Sequence, residues 1–318
     1  MFYIDEALKV PLLIVNNLFY NYIMEKDDFL KIKVIKDFSD YIKTKNYSNH
    51  TYIAYINDLY YFFEFIKKDL INVSEDDIRA YLEYLNKKNE KATSVRRQIS
   101  TFKTFYKFLY LNNYIDKKDY PMVKIAYPKV EKKLPKFIYY NDLLDIINES
   151  YRDKDGVRDR LIIEMLYATG MRVSELVNIK YDDIDFNNRR IRVCGKGNKE
   201  RIVYYGEYAE EVLKEYMATH KKNDYGYVFT NSKGEQITDR GIRYIIDNIM
   251  KKLSVKVHVT PHVLRHTFAT DMLNNGCDIK VVQELLGHSS LRTTEVYTHV
   301  TNERLKQVYY DCFPRRGE

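Results

Sequence analysis

The sequence predicts a mainly α protein with a small antiparallel β-sheet, built as two domains: an all-helical first half and a mixed second half. Three observations carry the prediction. Apolar residues recur at helical spacing from Asp27 to about Tyr114. Three of the six prolines, Pro121, Pro128 and Pro135, then fall within residues 116–136, among Lys117, Lys118, Lys124, Lys129, Lys132 and Lys133. Beyond them the period mixes, and two strand-like runs flank a glycine-rich turn. The expected boundaries are residues 27–115 for the helical domain, 116–136 for a basic linker and 137–318 for the mixed domain, preceded by an N-terminal extension, residues 1–26, of no assigned role.

In the first half, Leu30, Val34, Phe38 and Tyr41 mark one helical face, and Tyr52, Ile56, Leu59, Phe63 and Ile66 a second. Ser74, with Asp77 three residues on, reads as a capping start ahead of Ile78, Leu82 and Leu85. Thr93 or Ser94 opens a fourth helix through Val95, Ile99, Phe102 and Phe105, so this half is a small bundle of four helices. Prolines keep the linker out of regular helix, and its lysines suit an extended strap along a phosphate backbone. In the second half a helix near Val157–Ala168 is stopped by Gly170. Ile191–Cys194 and Arg201–Tyr205 pair as a hairpin about Gly195-Lys196-Gly197-Asn198-Lys199-Glu200. Further helices run from Thr238 to Leu253, from Pro261 to Asn275 with Thr260 as cap and Gly276 as stop, and from Asp278 to Leu286 with Gly287 as stop.

A chain of 318 residues can bury a full core. Lys+Arg 52 against Asp+Glu 45 leaves a formal charge of +7, which suits a polyanionic partner. Cys194, Cys277 and Cys312 are too few and scattered for a disulfide framework or a paired-cysteine zinc site, and fit a reducing cytosol. Asp5 and Glu6 stand where a signal peptide would be basic, and Asn16 and Asn17 soon interrupt the apolar stretch Pro11–Val15. Neither a signal peptide nor a membrane span is expected.

Candidate chemistry gathers in a few places. The fourth helix carries Lys91, Arg96, Arg97 and Lys103 toward one end; such a face lies against nucleic acid or is simply solvated. His262 and Arg265 share the first turn of the helix opened by Thr260-Pro261, beside free backbone donors, which makes an anion site. Arg172, just after the helix-ending Gly170, can reach the same anion with a two-pronged hydrogen bond. Taken singly, Arg172 also reads as the partner of Glu175, and His262 as a helix cap. His262 and His266 are spaced like a zinc pair but lack the acidic base between them, so no metal is expected. Lys196, at the hairpin tip, is placed to move an ammonium into a site as a proton donor, with Lys199 as its competitor. Tyr297 ends the run Ser290 to Val300 after Leu286-Gly287-His288; a phenol with pKa near 10 needs cations nearby to become a nucleophile, and among 31 tyrosines its neighbours alone single it out.

Together and in this order, Arg172, Lys196, His262-x-x-Arg265, His288 and Tyr297 closely resemble the active-site pattern of the tyrosine recombinase, or phage integrase, family, over roughly Asp142 to Val300. The resemblance implies a two-domain DNA clamp with a helical core-binding domain and a mixed α/β catalytic domain of the tyrosine recombinase type. It implies a site-specific DNA recombinase in which Tyr297 is the nucleophile that forms a covalent 3′-phosphotyrosine, with no metal, ATP or other cofactor. Within the family, Gly195 to Arg201 and the ending from Tyr297 through Phe313-Pro314-Arg315-Arg316 look most like Xer recombinases. That likeness implies a cytoplasmic enzyme of chromosome partition and cell division, resolving chromosome dimers at a near-palindromic site. Its partners would be duplex DNA and a second pair of recombinases, itself or a paralogue, as a tetramer on two duplexes, with the terminal helix from Glu303 docked on a neighbour. The alternatives are an integrase or resolvase of a phage, plasmid or transposon, a relaxing type IB topoisomerase, and a catalytically silent DNA-binding accessory protein.

Overall fold

The computed structural model describes residues 24–45, 47–130, 137–152, 155–195, 199–220, 225–253, 258–287 and 302–317, in two compact units that divide near residue 132. The first unit is helical: α1 (Lys26–Phe29), α2 (Lys33–Thr44), α3 (Asn49–Ile66), α4 (Glu75–Lys87) and α5 (Ala92–Leu111). Ser48 caps α3 by accepting from Thr51 N. Ser74 and Asp77 close the expected capping box on α4, with Asp77 N donating to Ser74 Oγ and Ser74 N to Asp77 Oδ2. The fourth long helix opens at Ala92, a residue or two before the expected Thr93 or Ser94.

The core of this unit is aromatic. Phe38 meets Phe105 edge-on with ring centroids 5.0 Å apart, and Phe62 lies 4.7 Å from Phe102. One polar group is built into it: Asp58, 3% exposed, accepts from Thr101 Oγ1 at 2.7 Å and from the guanidinium of Arg97. Burial raises the Asp58 carboxyl above its ordinary value, against the opposing pull of Arg97 and Thr101. The expected linker is not uniformly extended. Lys117–Asp119 forms a 3-10 turn, and Met122 and Ile125 are buried in this unit's core. Apolar side chains between the prolines draw the segment onto the bundle.

The second unit comprises α6 (Tyr140–Ser150), α7 (Gly156–Thr169), α8 (Val173–Leu176), β1 (Ile184–Asp185), β2 (Arg190–Cys194), β3 (Glu200–Tyr204), α9 (Glu207–Thr219), α10 (Asp239–Lys252), α11 (Pro261–Asn274), α12 (Ile279–Leu285) and α13 (Asn302–Cys312). The expected hairpin is β2–β3, with Ile191 opposite Val203 and Val193 opposite Arg201, and β1 adds a third antiparallel strand. α7 runs through the middle, buried from Leu161 to Thr169 and packed by α6, α9 and α11. α11 begins on its expected cap, Thr260 accepting from Val263 N, while Thr238 and Asp278, expected as the first residues of α10 and α12, prove to be their caps, accepting from Gly241 N and Lys280 N.

The terminal helix α13 lies on its own unit, where Leu305, Tyr309, Cys312 and Phe313 are buried. Tyr309 OH donates to Ala168 O, and Asn275 Nδ2 to Cys312 O. Docking on a neighbour, which the family resemblance implies, would require this apolar face to leave its present seat. Beyond the helix, Arg315 donates to both carboxylate oxygens of Glu164 in the middle of α7, and neither side chain is more than 7% exposed. Removing one partner strands a buried charge, so Glu164→Ala should cost ~3–5 kcal/mol in urea unfolding followed by circular dichroism, whereas Glu164→Leu with Arg315→Met should recover much of it. Equal losses in the single and double variants would show that the pair contributes packing alone.

Candidate active site

Arg172 is the residue before α8, placed there because Gly170 ends α7 in the left-handed conformation (φ +59°). A Cβ on Gly170 would stand 2.4 Å from Phe268 Cδ1, so only glycine turns the chain here. Arg172 N and Nη1 donate to the two oxygens of Glu175, at 2.7 and 2.8 Å. The ordinary pairing of Arg172 with Glu175 is therefore real.

That pairing is one edge of a larger constellation. Glu175 is 2% exposed and also receives Nη1 and Nη2 of Arg201, at 2.6 and 2.8 Å. Arg265, 6% exposed on α11, donates Nη1 to Gly170 O and Nη2 to Leu286 O, both at 2.6 Å. The C-terminal end of α12 thus receives three arginines on three consecutive carbonyls: Arg201 Nε on Leu285 O at 3.3 Å, Arg265 on Leu286 O, and Arg172 Nη2 on Gly287 O at 3.4 Å. These carbonyls lack intrahelical partners and carry the negative end of the helix dipole, so cations are their natural occupants.

Burial pushes the Arg265 guanidinium down to about 10, and the charges of Arg172 and Arg201 add to the effect while Glu175 opposes it. Arg265 stays charged at neutral pH. Burial alone would raise the Glu175 carboxyl, but the bonds from Arg201 and the Arg172 backbone outweigh it and hold the group below its ordinary 4.5. His262 stands three residues before Arg265 and is exposed. The hairpin base sits on the same constellation. Gly195 N donates to Lys199 O at 2.8 Å, and a Cβ on Gly195 would lie 3.2 Å from Glu175 Oε1.

The described residues thus bring Arg172 and Arg265 together, with His262 on the same helix as Arg265. Lys196, His288 and Tyr297 lie outside the described residues, although both chain ends leading to them, Gly195 and Gly287, abut the arginines. Sequence reasoning missed two members. In the sequence Glu175 reads only as an ordinary partner of Arg172, and Arg201 only as part of the run Gly195 to Arg201. The available signal was charge: a carboxylate inside a group of arginines destined for burial must be shared among them.

In the first unit, Lys91, Arg96 and Arg97 are exposed and Lys103 is half-buried. Arg96 and Lys103 converge on the Tyr127 ring, 4.9 and 4.3 Å from its centroid. Arg97 is committed to Asp58.

The model of the phage integrase family matches residues 136–304, and that of the phage integrase N-terminal SAM-like domain matches residues 35–113. The chain is 42% identical over 278 residues to tyrosine recombinase XerC of Staphylococcus saprophyticus, covering 85% of this chain and 93% of that one. It is 42% identical over 280 residues to the Staphylococcus aureus protein of the same name, with the same coverage. Among solved structures, a lambda integrase dimer bound to a COC′ core site shares the fold at TM-score 0.66 and 17% identity, over 84% of this chain and 98% of that one. A XerH site-specific recombinase bound to its difH substrate does so at 0.62 and 24%, over 81% and 78%.

A carboxylate depressed by folding adds stability above its unfolded pKa, and that stability is lost as pH falls through the lower folded value. Glu175→Gln should therefore be less stable than wild type at pH 7, and the gap in melting temperature should narrow as pH drops below about 4.5. A gap constant from pH 7 to pH 3 would mean that Glu175 does not anchor the arginines as a charge.

Proposed function

The chain belongs to the phage integrase family of tyrosine recombinases, and on that premise we propose that it is a Xer-type site-specific recombinase resolving chromosome dimers in the cytoplasm. The observation that carries the reading is the preassembled arginine pair, Arg172 and Arg265, in a chain 42% identical to XerC proteins over 85% of its length.

The chemistry follows from charge. As Tyr297 Oη attacks a backbone phosphorus, negative charge grows on the nonbridging oxygens; Arg172 and Arg265 stabilise it with donors already in place, and His288 adds a third donor. Lys196 gives its proton to the departing 5′ oxygen, and His262 assists proton transfer. The products are a 3′-phosphotyrosyl bond and a free 5′ hydroxyl. A phosphodiester has been exchanged for a phosphotyrosyl ester, so a 5′ hydroxyl from a partner duplex can reverse the step and complete strand exchange. No metal or ATP enters the balance. The helical unit binds the duplex, with Lys91, Arg96 and Lys103 as its phosphate contacts. Arg97, with Nη1 held by Asp58, keeps its other donors for the same backbone. Two copies on each of two duplexes, of this chain or with a paralogue, give the tetramer.

Genomic DNA fragments trapped with SDS should include a discrete near-palindromic site for wild type and nothing for Tyr297→Phe. A site near the terminus of replication assigns the chromosomal role, and one at the ends of a mobile element assigns the integrase role instead. Equal capture by Tyr297→Phe would remove Tyr297 as nucleophile.

Losing the general acid should slow cleavage by Lys196→Ala about 10²–10⁴-fold. A substrate with sulfur at the bridging 5′ position should restore it, because a thiolate leaves without a proton. Lys199→Ala should need no rescue; rescue of that variant alone would transfer the role to Lys199. Lys103→Ala should weaken binding to all sequences and flatten the salt dependence of log K by about 1.

A further inference from the structure

Arg201 has no part in the chemistry proposed above, yet the fold buries its charge. It stands on β3 opposite Val193, with its side chain 14% exposed. A Cβ on Gly287 would stand 2.8 Å from its Cδ, so the chain closes tightly on the stem. Taking a guanidinium out of water is unfavourable unless its partners offset the loss, so a buried arginine beside two others calls for a physical reason.

The carboxylate of Glu175 could be satisfied without it. Arginine and carboxylate meet best as a fork of two parallel N–H···O bonds, and the Arg172 guanidinium is already within reach, Nη1 lying 2.8 Å from Oε1. The structure gives the fork to Arg201 instead, with Nη1 on Oε1 at 2.6 Å and Nη2 on Oε2 at 2.8 Å. The Arg172 backbone N takes Oε2 as well, at 2.7 Å. These four donors fill the lone-pair sites of the two oxygens, and the Arg172 side chain holds Glu175 by Nη1 alone. Of its other nitrogens, Nη2 makes only a 3.4 Å bond, to Gly287 O, and Nε has no acceptor among the described residues.

Charge points the same way. A carboxylate forked by Arg172 alone would cancel that arginine toward an arriving anion. With Arg201 answering the carboxylate, the positive charge of Arg172 stays available.

We propose that Arg201 is a positioning residue: by occupying the fork of Glu175 it confines Arg172 to a single-nitrogen bond and leaves the rest of that guanidinium to the DNA phosphate. The inference rests on the reading of Arg172 as a phosphate ligand. Without Arg201, Glu175 draws a second Arg172 nitrogen onto itself, and the phosphate loses a donor together with part of the field.

The test follows the rate of covalent capture of fragmented genomic DNA, trapped with SDS, against the concentration of the full-length protein. Arg201→Met removes the fork and the charge while keeping a long side chain. Its rate at saturating protein should fall at least about tenfold, part of the roughly 10²–10³ that loss of a transition-state donor costs. The concentration giving half the maximal rate should stay within about twofold of wild type, because the change lies in the chemical step and not in DNA binding. Adding Glu175→Gln should raise the rate of Arg201→Met again by at least about threefold, since a neutral amide holds a guanidinium less tightly than a carboxylate does. A residue that served packing alone would show no such recovery. Arg201→Lys, which keeps the charge without the fork, carries the same two arms should Arg201→Met lose its circular dichroism signal. An unchanged rate in the single variant, a loss confined to half-saturation, or a double variant no faster than the single one would overturn the proposal. Absence of capture by wild type would instead remove the recombinase reading itself, and the proposal with it.

Discussion

Everything at the active site depends on one electrostatic problem: three guanidinium groups must be held together without substrate. Like charges a few ångström apart repel by roughly 1 kcal/mol in water and 4 kcal/mol at the effective dielectric of a protein surface. The fold answers with one buried carboxylate, Glu175, and four main-chain carbonyls, of Gly170, Leu285, Leu286 and Gly287. Three of those carbonyls end α12 and the fourth ends α7. The helices therefore contribute more than a scaffold. Their C-termini are the counter-charge that holds the arginines in position, and in the proposed mechanism a site organised in advance would need no rearrangement as the transition state forms.

This arrangement fixes where glycine is required. Gly170 must be left-handed to aim its carbonyl at Arg265 and to leave room for Phe268 and Leu286. Gly287, at φ +65°, leaves room for the Arg201 stem, which a Cβ would approach to 2.8 Å at Cδ. Both glycines end helices, and both precede, within two residues, a side chain of the expected catalytic set, Arg172 or His288. At Gly170, helix termination and the placement of Arg172 are the same event.

Much of this was legible in the sequence because it is local. Ser74 with Asp77, Thr238, Thr260 and Asp278 act within three residues, and Gly170 stops its helix by its own φ, so short-range chemistry predicted them. The hairpin followed from alternation and glycine. What escaped is non-local or too short to have a period. β1 is two residues long, and nothing in Ile184–Asp185 announces a strand until β2 lies beside it. α6 and α9 carried no cap or stop as plain as those of α11. Arg201 finds its partners 26 and 84 residues away, a relation that no sequence window contains. The departure of residues 117–125 from an extended linker has a similar reason. Pro121 and Pro128 do prevent helix, but Met122 and Ile125 between them have a core to join that becomes visible only in three dimensions.

The two arginines of the site differ in a way that separates their work. Arg265 is almost wholly buried and spends two donors on main-chain carbonyls. Arg172 has its side chain 38% exposed, with Nη1 on Glu175 and a longer Nη2 bond to Gly287 O. A guanidinium has five N–H groups, so each keeps donors in reserve, but those of Arg172 already face solvent. On the mechanism proposed above, an arriving phosphate would meet Arg172 first, while Arg265, in a drier setting, would contribute a stronger field per unit charge. Glu175 ties the two roles together. It pairs with the exposed arginine and offsets the repulsion felt by the buried one, so that the ordinary ion pair seen in the sequence is compatible with the proposed anion site rather than a rival to it.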